Sequence, residues 1–88
     1  MNGDDLVDIA RMVASRRDFL SFMDILIQNR KKYPGEWDNN DLDSYLYGLA
    51  GFTQGMEGYF KNIGENVDAD QLTWRALALM LLAAKVYE

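Results

Sequence analysis

The C-terminal part of the chain is apolar around nearly its whole helical circumference. Residues 76–84 form an unbroken run of nine apolar side chains, and the apolar pattern extends over residues 74–87. A helix that is apolar on all sides is typically surrounded by other helices. Nine residues are too few to cross a bilayer, which needs about 20. We therefore predict a central helix in a bundle and no membrane span.

Three further helices are predicted upstream from apolar spacings of three and four residues. They cover about residues 4–14, 16–31 and 41–61. Pro34 and Gly35 end the second helix, since Pro cannot continue the hydrogen-bond ladder. The fourth helix begins after either Asp70 or Thr73, and the sequence leaves both open. No alternating run rich in Val, Ile or Thr indicates a strand.

The predicted fold class is all-α, a compact four-helix domain with a central apolar C-terminal helix. The chain has 88 residues, of which 49% are hydrophobic, which suits one domain, residues 1–88, with one core. Helices 2 and 3 are expected to cover helix 4. Helix 1 has a narrow apolar stripe and is expected to be the least securely attached.

Helix 3 contains four glycines, Gly48, Gly51, Gly55 and Gly58, and each costs about 0.8–1 kcal/mol relative to Ala in a helix interior. At about 100° per residue they fall in one stripe beside the apolar face. Such a stripe favours close packing of another helix backbone. The alternatives are a kink or break of helix 3 near Gly55 and Gly58, or a functional hinge.

The side chains that most enzyme sites need are missing. The chain has no Cys and no His, which excludes thiolate nucleophiles, imidazole bases, disulfides and the usual zinc sites. No glycine-rich phosphate loop occurs, because the glycines follow helical spacing. We therefore predict that the chain is not an enzyme and has no catalytic residue, no cofactor and no metal site.

Two segments rich in Asp and Asn have some features of a cation site. Asn66, Asp68 and Asp70 have the opening spacing of a calcium loop, but Gln71 and Leu77 occupy the positions that need Gly and Glu. The Asx residues at 38–43 are more simply the cap of helix 3, for which Asn39 or Asn40 is expected.

The charge of the chain is concentrated in its middle. The net charge is −5, and residues 36–70 hold eight acidic side chains against Lys61 alone. Such a segment disfavours nucleic acid and anionic membranes as ligands and favours a basic protein. The alternative is that these acids are solvated surface and helix caps.

We predict a non-enzymatic protein-interaction module whose acidic middle segment meets an unknown, basic protein partner, one version being an immunity-like or antitoxin-like inhibitor of a basic effector. The alternative is a structural homo-oligomer, such as a homodimer, packed through the glycines and aromatic side chains of helix 3. Trp and Tyr are enriched at interface hot spots, although closing the end of a bundle is the favoured role of Trp37 and surface contact is its alternative. The candidate partner-binding residues are Tyr33, Glu36, Trp37, Asp38, Asp41, Tyr47 and Glu57.

The start Met1-Asn2-Gly3-Asp4-Asp5 lacks the features of a signal peptide, which indicates a cytoplasmic protein.

Several ordered motifs resemble those of a family of small bacterial proteins that is a domain of unknown function. They are Ser15-Arg16-Arg17-Asp18-Phe19, Glu36-Trp37-x-Asn39-x-x-Leu42, Met56-Glu57-Gly58-Tyr59-Phe60-x-Asn62-x-Gly64, and Thr73-Trp74 leading into Leu82-Ala83-Ala84-Lys85-Val86-Tyr87-Glu88. The resemblance covers almost the whole chain after residue 14. It implies an all-helical domain from a bacterial source, and it supplies no catalytic residues.

Overall fold

The fold is all-helical, as predicted. A computed structural model describes residues 3–65 and 68–87, and within these ranges it contains four α-helices, one short 3-10 helix and no strand. The elements are α1 Gly3–Arg11, α2 Arg16–Lys32, the 3-10 helix Pro34–Glu36, α3 Leu42–Asn62 and α4 Trp74–Ala83. The 3-10 helix, which the sequence analysis did not predict, takes up the turn imposed by Pro34.

Three of the helices begin at a side-chain cap. Ser15 Oγ accepts from the backbone N–H of Asp18 at 3.1 Å, and Thr73 Oγ1 accepts from that of Ala76 at 3.0 Å. Asp41, rather than Asn39 or Asn40, caps α3. Each cap satisfies a backbone N–H that has no partner within the helix. The Thr73 cap explains why α4 starts at Trp74 and not directly after Asp70.

Helix α4 lies at the centre of the fold, as predicted. Helices α1, α2 and α3 each pack against it, whereas no Cα atom of α2 comes within 8 Å of one in α3. The side chains of Ala78, Leu79 and Leu82 are buried in the middle of this arrangement. Because α2 and α3 do not pack directly on each other, a gap remains between them on one side of the molecule.

Helix α1 is firmly attached, and the expectation of a loosely held first helix is wrong. Leu6 and Ala10 are fully buried and Val13 nearly so, since α1 packs along α4. Arg11 Nε also bonds Glu65 at 3.1 Å. The α1 stripe is narrow, but Leu6 and Ala10 within it are completely covered, which a count of apolar residues did not show.

The chain leaves the α-helical path after Ala83, so the predicted extension of the fourth helix over residues 84–87 is wrong. Lys85 N–H and Val86 N–H bond carbonyls three residues back, which forms a tighter turn. The Asn39 side chain explains how this turn ends, because its Nδ2 donates to Ala84 O at 2.8 Å and to Tyr87 O at 2.7 Å.

Helix α3 runs without interruption, so the break considered at Gly55 and Gly58 does not occur. The close packing expected of the glycines is present, but against the C-terminal turn instead of another helix. A Cβ atom at Gly48 would lie 2.6 Å from Asn39 Nδ2 and 2.7 Å from Ala84 O. At Gly51 it would lie 2.8 Å from the Tyr87 ring.

Candidate functional site

Trp37 belongs to the core. Trp37 is 8% exposed, and its indole Nε1 donates a hydrogen bond to Asn29 Oδ1 at 2.8 Å. The indole stacks on the Tyr45 ring with centroids 6.0 Å apart. Trp37 therefore has the bundle-closing role, and we do not include it among the side chains that would contact a partner.

The acidic residues around it lie on the surface. Glu36, Asp38, Asp41 and Asp43 are all exposed on the connection between α2 and α3 and on the first turn of α3. We call these four residues the acidic surface. Within the described ranges none of the four makes an ion pair. Hydrogen bonds from the backbone and hydroxyl of Ser44 lower the pKa of Asp41, which keeps this capping carboxylate charged.

Large apolar side chains project from the start of α3 beside the acidic surface. Leu42 is 71% exposed, Leu46 51% and Tyr47 80%. We call these three the α3 apolar surface. The helical spacing of the apolar residues places Tyr47 off the apolar side of α3 but Leu42 and Leu46 on it. They are exposed because α2 does not extend over this part of α3.

An open groove of about 380 Å³ separates α2 from the start of α3. Its walls are mainly apolar, with two basic side chains on the α2 side and Asp41 on the α3 side. It is lined by Met23, Leu26, Ile27, Arg30, Lys31, Trp37, Asn39, Asn40, Asp41, Leu42 and Tyr45. This α2–α3 groove is continuous with the α3 apolar surface through Leu42. Tyr45 is fixed by a 2.7 Å hydrogen bond to Leu81 O, so this wall of the groove is anchored to α4.

Two predicted site residues lie apart from this region. Tyr33 is exposed at the end of α2 and lines a different cavity, with Asp24 and Lys32. Glu57 forms an exposed ion pair with Lys61 at 3.6 Å. It lies ten residues beyond Tyr47 on α3, about 15 Å along the helix axis. The seven candidates therefore do not form a single patch, and Asp41 and Tyr47 are the pair at the start of α3.

The sequence analysis missed a buried polar cluster formed by Asn29, Trp37 and Lys85. Asn29 is 5% exposed and Lys85 6%. Lys85 Nζ donates to Asn29 Oδ1 at 3.3 Å and lies 5.4 Å from the centroid of the Trp37 ring. Burial lowers the pKa of Lys85, while attraction by Glu36 opposes that shift. The sequence feature that could have indicated this cluster is the charge of Lys85 directly after the apolar run of residues 76–84.

Residues 3–65 and 68–87 contain no group of three acidic side chains close enough to hold a metal ion. The calcium-loop spacing begins at Asn66, which lies outside the described residues. Glu65 bonds Arg11 and, at 3.0 Å, Arg75, so its charge is used within the fold. None of the helices in the described ranges is long and apolar enough to cross a membrane.

A family model described as "Family of unknown function (DUF7660)" matches residues 15–88. The match begins at the cap of α2, residue 15, and agrees with the resemblance of the sequence motifs. No curated protein and no solved structure matches the chain.

Proposed function

Because the chain belongs to a family of unknown function, DUF7660, we propose its role from its own side chains: a non-enzymatic protein-interaction module that binds a basic partner. The observation that carries this proposal is the exposure of the α3 apolar surface directly beside the acidic surface. One version of such a module is an immunity-like or antitoxin-like inhibitor of a basic effector.

Charge supports a basic partner. Glu36, Asp38 and Asp43 are exposed and form no ion pair within the described ranges, so their carboxylates are open to a partner. Glu36 also attracts the buried Lys85. An acidic surface accelerates association with a basic protein and disfavours acidic competitors. Salt screens exposed charges strongly, and the binding should therefore weaken as salt is added.

Apolar contacts support a specific interface rather than a diffuse electrostatic attraction. Leu42, Leu46 and Tyr47 expose large side chains within two turns of one helix, and large exposed apolar patches mark interaction surfaces. Tyr is also among the residues most enriched at hot spots. The adjacent α2–α3 groove offers a concave apolar site in which a partner side chain would be desolvated.

The experiment is affinity capture of the tagged protein from its native cells at low and at high salt, with mass spectrometry of the retained proteins. The wild type is compared with Asp38→Asn/Asp43→Asn and with Tyr47→Ala. Asp24→Asn, an exposed change on α2, is the matched charge control. We expect one basic protein that is retained at low salt, lost at high salt, and lost from both test variants but not from the control.

Capture that is insensitive to salt, or equal for the wild type and both test variants, would contradict the proposal. Each variant first needs a helical circular dichroism spectrum equal to that of the wild type. All three positions are exposed, so these changes should leave the fold intact.

Self-association is the second candidate function, and the exposed α3 apolar surface is the observation that favours it. Gly48 and Gly51 cannot pack against a second copy of the chain, because the chain's own C-terminal turn covers them. Sedimentation velocity at micromolar concentration separates the two functions. A wild-type dimer that dissociates in the Tyr47→Ala variant would support self-association. A monomeric wild type would favour binding of another protein to the α3 apolar surface.

A further inference from the structure

Lys85 is a buried cation that forms no ion pair with the described residues. It is 6% exposed, and no carboxylate among the described residues lies within ion-pair distance. Its Nζ makes one hydrogen bond there, to Asn29 Oδ1, at the long distance of 3.3 Å. That oxygen also accepts from Trp37. Since buried charges are normally paired, the ammonium has unused capacity to bind an anion.

Lys85 also lines a cavity of about 560 Å³ between α1, α3 and the end of α4. Most of the wall is apolar, and the second charged group in it is Glu36. The remaining lining residues are Val7, Tyr59, Leu79, Leu82, Ala83 and Val86. Mainly apolar walls with a few polar groups are typical of small-molecule sites, whose volumes are about 300–1,000 Å³.

We propose that this cavity, the Lys85 cavity, binds an apolar monocarboxylic acid, with the carboxylate against Lys85 Nζ and the hydrocarbon part along the apolar wall. The cavity lies apart from the α3 apolar surface and shares only Glu36 with the acidic surface, and the proposal does not rest on the protein-interaction role. A carboxylate would compensate the buried ammonium with a charge-assisted hydrogen bond. The hydrocarbon part would remove apolar wall from water.

Tyr59 places a phenol in the wall of the same cavity. It is half-buried there, and its hydroxyl has no hydrogen-bond partner in the described part of the chain. Burial raises the pKa of Tyr59, an effect that Arg11 opposes and Glu65 reinforces, so the hydroxyl stays protonated and able to donate at neutral pH.

Glu36 restricts which acid would bind. Its carboxylate lines the same cavity and already attracts Lys85, as the opposing influence on the lysine pKa shows. A ligand carboxylate would therefore bind against repulsion from Glu36, and a second negative charge on the ligand would add to that repulsion. The occupant is accordingly assigned as a monocarboxylate.

Octanoate is the test ligand, with octanol as its uncharged control. Binding is followed by Trp37 fluorescence in a Trp74→Phe background and by isothermal titration calorimetry. We expect octanoate to bind at least about tenfold more tightly than octanol. Lys85→Met should remove the preference for octanoate over octanol, and Glu36→Gln should tighten octanoate binding. Lys61→Met, a change at an exposed lysine, should alter neither the preference nor the octanoate affinity.

Failure of octanoate to bind the wild type, or equal affinity for octanoate and octanol, would overturn the proposal. Equal octanoate affinity of the wild type and a folded Lys85→Met variant would do the same. Should Lys85→Met not fold, Glu36→Gln decides the matter, because it lies at an exposed position: unchanged or weaker octanoate binding there would also overturn the proposal.

Discussion

Asn29 Oδ1 accepts a 2.8 Å hydrogen bond from the indole N–H of Trp37, which ties the last turns of α2 to the connection that follows it. Both residues are buried. The same oxygen receives the ammonium of Lys85. A single acceptor thus satisfies two buried donors, one from the α2–α3 connection and one from the turn after α4, whereas Asn29 Nδ2 has no partner in the described ranges.

Removing this acceptor should be costly. Asn29→Ala leaves two donors buried without a partner, and we expect it to lower the free energy of unfolding by about 1–3 kcal/mol. Asn29→Asp keeps an acceptor, adds an opposite charge beside Lys85 and removes the unpaired Nδ2, so it should retain more stability than Asn29→Ala. Urea denaturation measures both, with the exposed change Gln28→Ala as the control. Equal stabilities of the Ala and Asp variants would show that the acceptor is unimportant.

Two glycines of α3 should respond in opposite directions to alanine. Gly48→Ala would bring a Cβ within 2.7 Å of Ala84 O, and we expect destabilisation because the C-terminal turn must shift. Gly58→Ala meets nothing within 4 Å and should stabilise by up to about 1 kcal/mol through helix propensity. Thermal unfolding of the matched pair checks this prediction. A stabilising Gly48→Ala would refute the close packing of the turn on α3.

High pH should unfold the protein partly through Tyr45. Burial raises the pKa of Tyr45 to about 12 from its usual 10.0, so the folded state holds the phenol proton more tightly than the unfolded state does. The corresponding stability is present below pH 10 and is lost as the pH rises towards 12. Tyr45→Phe should reduce this loss, whereas Tyr47→Phe should not. Urea midpoints measured across this pH range provide the comparison.

Glu65 should contribute more to stability than Glu57. Glu65 is mostly buried and bonds Arg11 and Arg75, which come from different parts of the fold. We expect Glu65→Gln to destabilise by roughly 1 kcal/mol, and less so at high salt. Glu57→Gln breaks only an exposed pair and should have no measurable effect. Urea denaturation at two salt concentrations tests both variants, and indistinguishable stabilities would refute the bridging role of Glu65.

The architecture was largely predictable because it depends on local patterns. The apolar run at 76–84 has no polar side to expose, which required α4 to be central, and Pro34 had to end α2. The attachment of α1 was not predictable in the same way. A narrow stripe such as that of Leu6 and Ala10 is secure only when a neighbour covers all of it, and that depends on tertiary packing.

The candidate site was predicted less well, for the same physical reason. Helical periodicity gives the side of α3 on which Leu42 and Leu46 lie, but it does not show that α2 stops short of covering them. Trp37 had two interpretations that composition could not separate, and its hydrogen bond to Asn29 assigns it to the core. The burial of Lys85 depends on contacts with residues far away in the sequence, such as Asn29. No local motif indicates such contacts.

The lack of direct packing between α2 and α3 has a consequence for how this domain can vary. Each helix packs on α4, and Trp37 joins the two through Asn29 and Tyr45, so the exposed side chains of the groove are not needed to hold the helices together. Ile27 and Leu42 line the groove but are exposed and lie outside the core. Substitutions at such positions can change the shape of the groove while the contacts that hold the helices on α4 stay intact.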